Sequence, residues 1–359
     1  MPFGQPVLIA SDRAEDIQPH AANLGHLAFA GFAGRRAAFA TRAVRVGLKQ
    51  ETDLTLIGHI NYAPIGLGLR KIKPGFRYGV MVHGVEVWSR LPQLKRMALQ
   101  QADFITSVSE YTKQQIVEVN GVDPQRVYVL PNTIEWAGDS LKAQVSGLKP
   151  ATKITLLSVG RLEASDGYKG VDHVIAALPE VIKRVPELEY VVIARGDDVA
   201  RHKQLALEHG VAERVHFPGT VEPEKLRDAY RNSDVFIMPS AGEGFGIVFL
   251  EAMQYEKPVI AARSAAVPEV VIDDATGVLV EYGNIEQISN ALIDLCLDAE
   301  KRKRLGQAGY QRLQDNFTFS QFKERLTEIL NRELPQGSEA AQPKAVISAP
   351  PAATPTGVE

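Results

Sequence analysis

The stretch PSAGEGFGIVFLEAM, residues 239–253, places Glu243 among Gly242, Gly244 and Gly246, and Glu251 in an apolar run. Carboxylates in such surroundings are costly unless something partners them. The spacing alone carries little information, because such pairs arise by chance in a chain of this size. Its context carries more. DVFIMPS reads as a buried strand, AGEGFG as a glycine loop and IVFLEAM as the start of a helix. That order makes an anion site, since free backbone N–H groups and the helix dipole point at whatever sits there. The glycines let backbone approach a ligand closely. The two acids suit hydroxyl recognition, each carboxylate accepting two or more hydrogen bonds. The plainer alternative is a helix-capping Glu243 and a Glu251 paired with a nearby cation.

A second element is SVGRLEASDGYKGVDHVI, residues 158–175, again strand, glycine loop and helix. Gly160 opens the turn, and Arg161 and Lys169 flank the loop. Two cations there could hold a diphosphate and stabilise it as it departs, a task otherwise given to a metal. Against this stands a solvated surface loop. The chain has no Asp-x-Asp motif and no Cys or His cluster with metal-ligand spacing, so no metal and no cofactor are expected.

The elements that must carry these residues follow from the alternation of apolar β-rich runs with amphipathic segments, the signature of βαβ units on a parallel sheet. Strands are expected at 6–11, 53–59, 77–84, 103–109 and 126–132, then at 153–162, 190–196, 214–220, 234–240, 258–263 and 276–280. A polar, glycine-containing stretch at 136–153 reads as a linker. The chain continues as helix from 284 to about 334. Residues 335–359, rich in Pro and Ala, are expected to be disordered.

The division is therefore residues 1–145, residues 146–334 and a tail. A net charge of −3 excludes nucleic acid as the main partner. Cys296, the single cysteine, points to a reducing, cytoplasmic setting. The first half is mildly basic. LRKIKPGFR (69–77) and the helix around Lys95 and Arg96 suggest loose, peripheral contact with an anionic membrane.

VGRL…YKG, VHFPGTV, DVFIMPS, EGFGIVFLEAM, KPVIA and VPEVV…TGVLV together resemble the donor domain of family 4 retaining glycosyltransferases. That family has the GT-B fold, α/β with two Rossmann-like domains facing a cleft. The wording is similar to bacterial members that build exopolysaccharide or lipid-linked oligosaccharide. The resemblance implies transfer of a hexose from a nucleoside-diphosphate sugar to a glycan or lipid-linked acceptor. GDP-mannose and UDP-glucose are the donors it suggests first. It implies roles position by position: Glu243 on the donor sugar's hydroxyls, with backbone of Gly244, Phe245, Gly246 and Ile247 beside sugar and phosphates. Glu251 would take the ribose, and Arg161 and Lys169 the diphosphate. Arg195, Gly196, Thr220 and Val221 would lie beside the base. MVHGVEVW (81–88) is similar to the family's cleft histidine segment, so His83 would reach the donor sugar. Ser109 either lines the cleft or caps the following helix.

Three departures are visible. Against the family pattern, the strand, glycine loop and helix that usually open the first domain are expected to be missing before PVLIAS. Glu256 stands where glycine is usual before KPV, and Ser264–Ala266 where glycines often precede Pro268–Glu269. A catalytically weak sugar-nucleotide-binding subunit that partners a complete transferase is the alternative. A nicotinamide dehydrogenase is disfavoured, because no Gly-x-Gly-x-x-Gly follows the first strand.

Overall fold

The protein is described by a computed structural model over residues 7–10, 28–49, 52–134 and 153–334. The second half holds one six-stranded sheet in the order β12-β11-β10-β7-β8-β9. Its strands are β7 (Ile154–Arg161), β8 (Leu188–Arg195), β9 (Val215–His216), β10 (Val235–Met238), β11 (Val259–Ala262) and β12 (Gly277–Val280). All of these pair in parallel. Every residue of VFIM in β10 and VIAA in β11 is buried. Helices cover both faces of such a sheet, which is why these strands carry no charge.

One face packs under helices Val171–Arg184 and Ile285–Leu297, with Val174, Leu178 and Leu292 fully buried. The other packs under Ile247–Gln254, Pro223–Asn232 and Ala299–Asn316, with Phe236, Phe249 and Met253 at the centre. The order reverses between β7 and β10. There the loops after two neighbouring strands turn to opposite faces and leave a crevice at the carboxyl ends.

The first half has a four-stranded parallel sheet, β3 (Thr55–Ile57), β4 (Tyr78–Val82), β5 (Phe104–Ser107) and β6 (Val127–Val129), in that order. A separate two-stranded sheet pairs β1 (Val7–Ala10) with β2 (Ala28–Gly31). The strand expectations at 6–11 through 276–280 correspond to observed strands, but β2 is an addition. Its sequence, AFAG, has no β-branched residue and gives little strand signal. The opening unit expected to be missing concerns what precedes residue 7, outside the described residues. So do almost all of the 136–153 linker and the 335–359 tail.

The two halves are joined at several points. The last helix, Phe319–Glu333, lays Phe322, Leu326, Ile329 and Leu330 on Phe104 and Leu130 of the first half. Its Glu333 accepts from the Tyr128 hydroxyl at 2.7 Å and lies 3.4 Å from Arg77. Thr133 donates to the Phe317 carbonyl at 2.7 Å.

Candidate active site

The Pro239–Gly246 loop and the segment after β7 are tied together where the sheet order reverses. Ala241 N–H donates to the Tyr168 carbonyl at 2.9 Å. Gly170, at φ 75°, lies so close to Pro239 that a Cβ would overlap its carbonyl. This brings Lys169 Nζ to 2.6 Å from Glu243 Oε1, with the two side chains only 18% and 12% exposed. The ion pair is mostly out of water, so its attraction is screened less than a surface pair's. Gly246, at φ 89°, turns the chain into helix Ile247–Gln254, and Phe249 occupies the space a side chain there would need.

Arg161 and Arg195 end β7 and β8 and are register partners. Both are exposed, and Arg161 Nε lies 3.6 Å from Glu163. Like charges directly opposite on neighbouring strands repel, so an anion bound between them would be favoured. Beside them Gly160 is exposed, and a Cβ there would meet no atom. Gly196 has a different reason to be glycine: at φ 143° a Cβ would overlap the Leu162 carbonyl. Its place is fixed by backbone approach inside the protein.

Glu251 stands in the second turn of helix Ile247–Gln254 and accepts from the Tyr230 hydroxyl at 2.5 Å. Burial pushes its carboxyl up from the ordinary value, and the Tyr230 hydrogen bond pulls it part of the way back. Thr220 is exposed and Val221 half-buried against the core beneath the same helix. Ile247 is 42% exposed, at the helix start. Phe245 is the exception among the loop residues. Its ring is buried edge-on against Phe317, centroids 5.5 Å apart, so only its backbone can face a ligand.

On the opposite side, His83 follows β4 and is exposed. Its backbone N–H donates to Glu86 Oε1 at 2.5 Å, and its Nε2 lies 2.8 Å from the Gly58 carbonyl. A carbonyl can only accept, so Nε2 carries the proton and Nδ1 of the neutral ring is an acceptor. The His59 ring is 6.1 Å away, its pKa lowered first by burial, with His83 and Lys95 adding to that and Glu86 opposing it. Lys95 donates to Asn61 at 2.6 Å, which turns it toward this cluster. A Cβ on Gly244 would overlap the His83 carbonyl, and one on Gly84 would run into Gly244 at 2.6 Å. The two walls are therefore in backbone contact where His83 meets the Glu243 loop.

Ser109, buried, caps helix Glu110–Asn120 by accepting from Thr112 N–H at 3.1 Å. The same helix start receives a second acceptor from the other half. Glu269 accepts from Glu110 N–H and Tyr111 N–H, both at 2.8 Å. Sequence reasoning passed over Glu269, Glu86, His59 and Tyr230. His59 carried a faint signal, a histidine in GHINY at the end of the strand beside β4. Among the described residues no group of three or more His, Cys, Asp or Glu is arranged to hold a metal, and no helix is long and apolar enough to cross a membrane.

Comparison with known proteins agrees with this architecture. Residues 139–312 match the family model described as glycosyl transferases group 1, and residues 5–135 the model described as Glycosyltransferase Family 4. The chain is 34% identical over 267 residues to the GDP-mannose-dependent alpha-(1-6)-phosphatidylinositol monomannoside mannosyltransferase of Mycolicibacterium smegmatis, covering 69% of this chain and 68% of that one. It is 30% identical to the monoacylated-substrate counterpart of Corynebacterium glutamicum, covering 76% and 74%. Among solved structures, Anabaena Alr3699/HepE in complex with UDP and glucose superposes with a TM-score of 0.74 at 17% identity, covering 91% of this chain and 100% of that one. Sucrose-phosphate synthase from Thermosynechococcus elongatus gives 0.72 at 18% identity, covering 91% and 98%. These likenesses identify the fold as GT-B.

Proposed function

The chain belongs to the family 4, group 1 glycosyltransferases, and from that premise we propose that it moves a hexose from a nucleoside-diphosphate sugar to a lipid-linked or glycan acceptor. Mannose from GDP-mannose is the first choice, since the mycobacterial and corynebacterial relatives are named for that donor. UDP-glucose is the second. The observation that carries the reading is the Lys169–Glu243 pair at the reversal of the sheet, with Gly244 in backbone contact with His83–Gly84.

In this reading Glu243 accepts hydrogen bonds from the sugar's hydroxyls, with backbone of Gly244 to Ile247 beside sugar and phosphates. Glu251 accepts from the ribose. Lys169 and Arg161 hold the diphosphate, and the Arg195–Gly196 and Thr220–Val221 turns flank the base. His83 faces the sugar from the other wall. The bond from sugar C1 to the phosphate oxygen breaks as the acceptor oxygen bonds to C1 on the same face. The acceptor's hydroxyl proton passes to the leaving phosphate. Positive charge from Lys169 and Arg161 stabilises that phosphate as it departs, with no metal in the step.

Peripheral membrane contact fits the first half. Helix Arg36–Lys49 carries Arg36, Arg42, Arg45 and Lys49 and no acid. Ile72, 67% exposed, stands between Lys71 and Lys73 at the end of helix Ala63–Ile72, and Lys73 reaches the Gly47 carbonyl at 3.2 Å, joining the ends of the two helices. Calorimetric titration with GDP, UDP, ADP and dTDP tests the donor site, with Glu251→Ala as control. Tight binding of one nucleotide, lost in the variant, supports the reading. Binding of none overturns it.

A further inference from the structure

Glu251 is held unlike the other acid of the site. Glu243 has a lysine; Glu251 forms no ion pair among the described residues and takes its one protein hydrogen bond from a neutral phenol. That phenol belongs to Tyr230, fully buried near the end of helix Pro223–Asn232. Its ring is clamped between Phe236 of β10, centroids 5.8 Å apart, and Tyr255, 5.7 Å apart and nearly parallel at 5°. A ring fixed on both faces aims its hydroxyl in one direction, and that direction is Glu251 Oε2. Burial raises the Tyr230 pKa well above its ordinary value, so the hydroxyl stays protonated and stays a donor. Oε1 is left to accept from elsewhere.

We propose that Tyr230 is a positioning residue for nucleotide recognition: it orients the Glu251 carboxylate and favours its ionised form, so that Oε1 presents its lone pairs to the ribose hydroxyls. This rests on the reading of Glu251 as the ribose acceptor. The titratable groups facing the pair are few. Tyr255 flanks the Tyr230 ring. Beyond Tyr255 stand Arg231, its guanidinium carbon 5.8 Å from that ring, with Arg227 and Glu224 on the same helix. None of these hydrogen bonds to Glu251, so Tyr230 is its one protein support for the ionised form among the described residues.

Removing only the phenol oxygen separates positioning from packing, because Tyr230→Phe keeps the stacked ring. The experiment is calorimetric titration of GDP and of UDP into the full chain from about pH 5.5 to about pH 8.5. It compares wild type, Tyr230→Phe, Tyr255→Phe and Glu251→Gln. The Tyr255 hydroxyl is buried with no hydrogen-bond partner among the described residues, so Tyr255→Phe controls for loss of a phenol oxygen from the same stack.

The expected result is that Tyr230→Phe binds the preferred nucleotide about tenfold more weakly at neutral pH. Its acid limb moves to higher pH, and affinity recovers at the alkaline end. Tyr255→Phe should follow wild type. Uniform weakening of Tyr230→Phe without a displaced limb would make Tyr230 a packing residue and overturn the inference, as would binding identical to wild type. If Glu251→Gln binds as tightly as wild type at every pH, the ribose reading itself fails, whatever Tyr230→Phe does.

Discussion

On the wall proposed to hold the donor, here the donor wall, Lys169 and Glu243 belong to the loops after β7 and β10, neighbours in one six-stranded sheet. On the opposite wall, proposed to face the acceptor and here the acceptor wall, His83 and His59 follow β4 and β3 of a four-stranded sheet, and β1 and β2 form a sheet of their own. The donor wall's geometry is set within one continuous core. The acceptor wall's position relative to it depends on a few contacts between halves: Gly84 on Gly244, Glu269 on helix Glu110–Asn120, and the last helix on Phe104 and Leu130. Chemistry assigned to the donor wall should fail when one side chain is removed. Chemistry that needs both walls should fail when they are pushed apart, even with every functional group intact.

Lys169→Ala gives the largest effect. On the proposed reading it removes a charge that stabilises the departing diphosphate, and loss of one such group costs roughly 10²–10³-fold in turnover. Glu243→Ala should fall in the same range. Steady-state kinetics with the preferred donor checks both, and unchanged turnover in the two variants would remove the donor-wall assignment altogether.

Gly244→Ala asks about the contact between walls. Gly244 does not have a positive φ, so an alanine suits its backbone; the obstacle is the His83 carbonyl across the cleft. Turnover should drop about 10²-fold, the scale of a misplacement of about 1 Å. Nucleotide affinity should fall far less than turnover, because the side chains of Lys169, Glu243 and Glu251 are unchanged. A variant as active as wild type would show that the walls need not meet there during turnover.

Glu269→Ala tests the other joint. Its carboxylate meets two backbone N–H groups at a helix start, where negative charge is favoured and a lost cap costs about 1–2 kcal/mol. Ser109 still caps the same helix, so the loss belongs to the connection between halves. Thermal unfolding should show it; no change would mean the joint is idle in solution.

How much of this was legible differs between the walls for the same physical reason. Strands covered by helices on both faces are mostly apolar, so β7, β8, β10 and β11 announce themselves as runs, with the charges of β7 and β8 confined to their ends. Glu243, Lys169 and Arg161 could therefore be read from continuous sequence. Contacts made by distant segments leave no such mark. Glu269 reaching helix Glu110–Asn120, His59 beside His83, and Tyr230 beneath Glu251 each depend on how helices and strands pack. Gly196 and Phe245 each have a reason inside the protein as well as a proposed place at the ligand. Both sit in ligand-type loops, yet the Leu162 carbonyl explains the glycine and Phe317 holds the ring.

Glu251→Gln sharpens the contrast between the two acids through pH. The folded-state pKa of Glu251 is raised, burial being the larger cause, so the folded chain holds its proton more tightly than the unfolded one. Its contribution to stability is then fullest at acid pH and is lost as pH rises through the raised value. Glutamine keeps an acceptor for Tyr230 without the charge. The variant should match wild type near pH 4 and gain on it toward neutrality, by about 1 kcal/mol, while losing nucleotide affinity. Equal stability across the range would mean that the Tyr230 hydrogen bond offsets the burial in full.

The smallest effect concerns two departures from the usual family sequence, which lie at left-handed backbone. Glu256 has φ 53° and Ala265 has φ 48°, and glycine adopts this conformation without the penalty a Cβ brings. Ala265 lies beside Glu269 at the groove between halves, so changing it would mix backbone relief with the joint. Glu256 is exposed with no side-chain partner among the described residues, so Glu256→Gly acts on the backbone alone. Relief of left-handed strain is worth about 1 kcal/mol, and the greater freedom of the unfolded chain takes back about 0.5 kcal/mol. The remaining gain of about 0.5 kcal/mol corresponds to a rise of roughly 1–2 °C in unfolding temperature for a domain of this size. Turnover should not change, since residue 256 follows the helix that carries Glu251 and touches neither wall. A lower unfolding temperature would mean that the left-handed turn costs the chain nothing, and the glutamate would then need another reason to stand there.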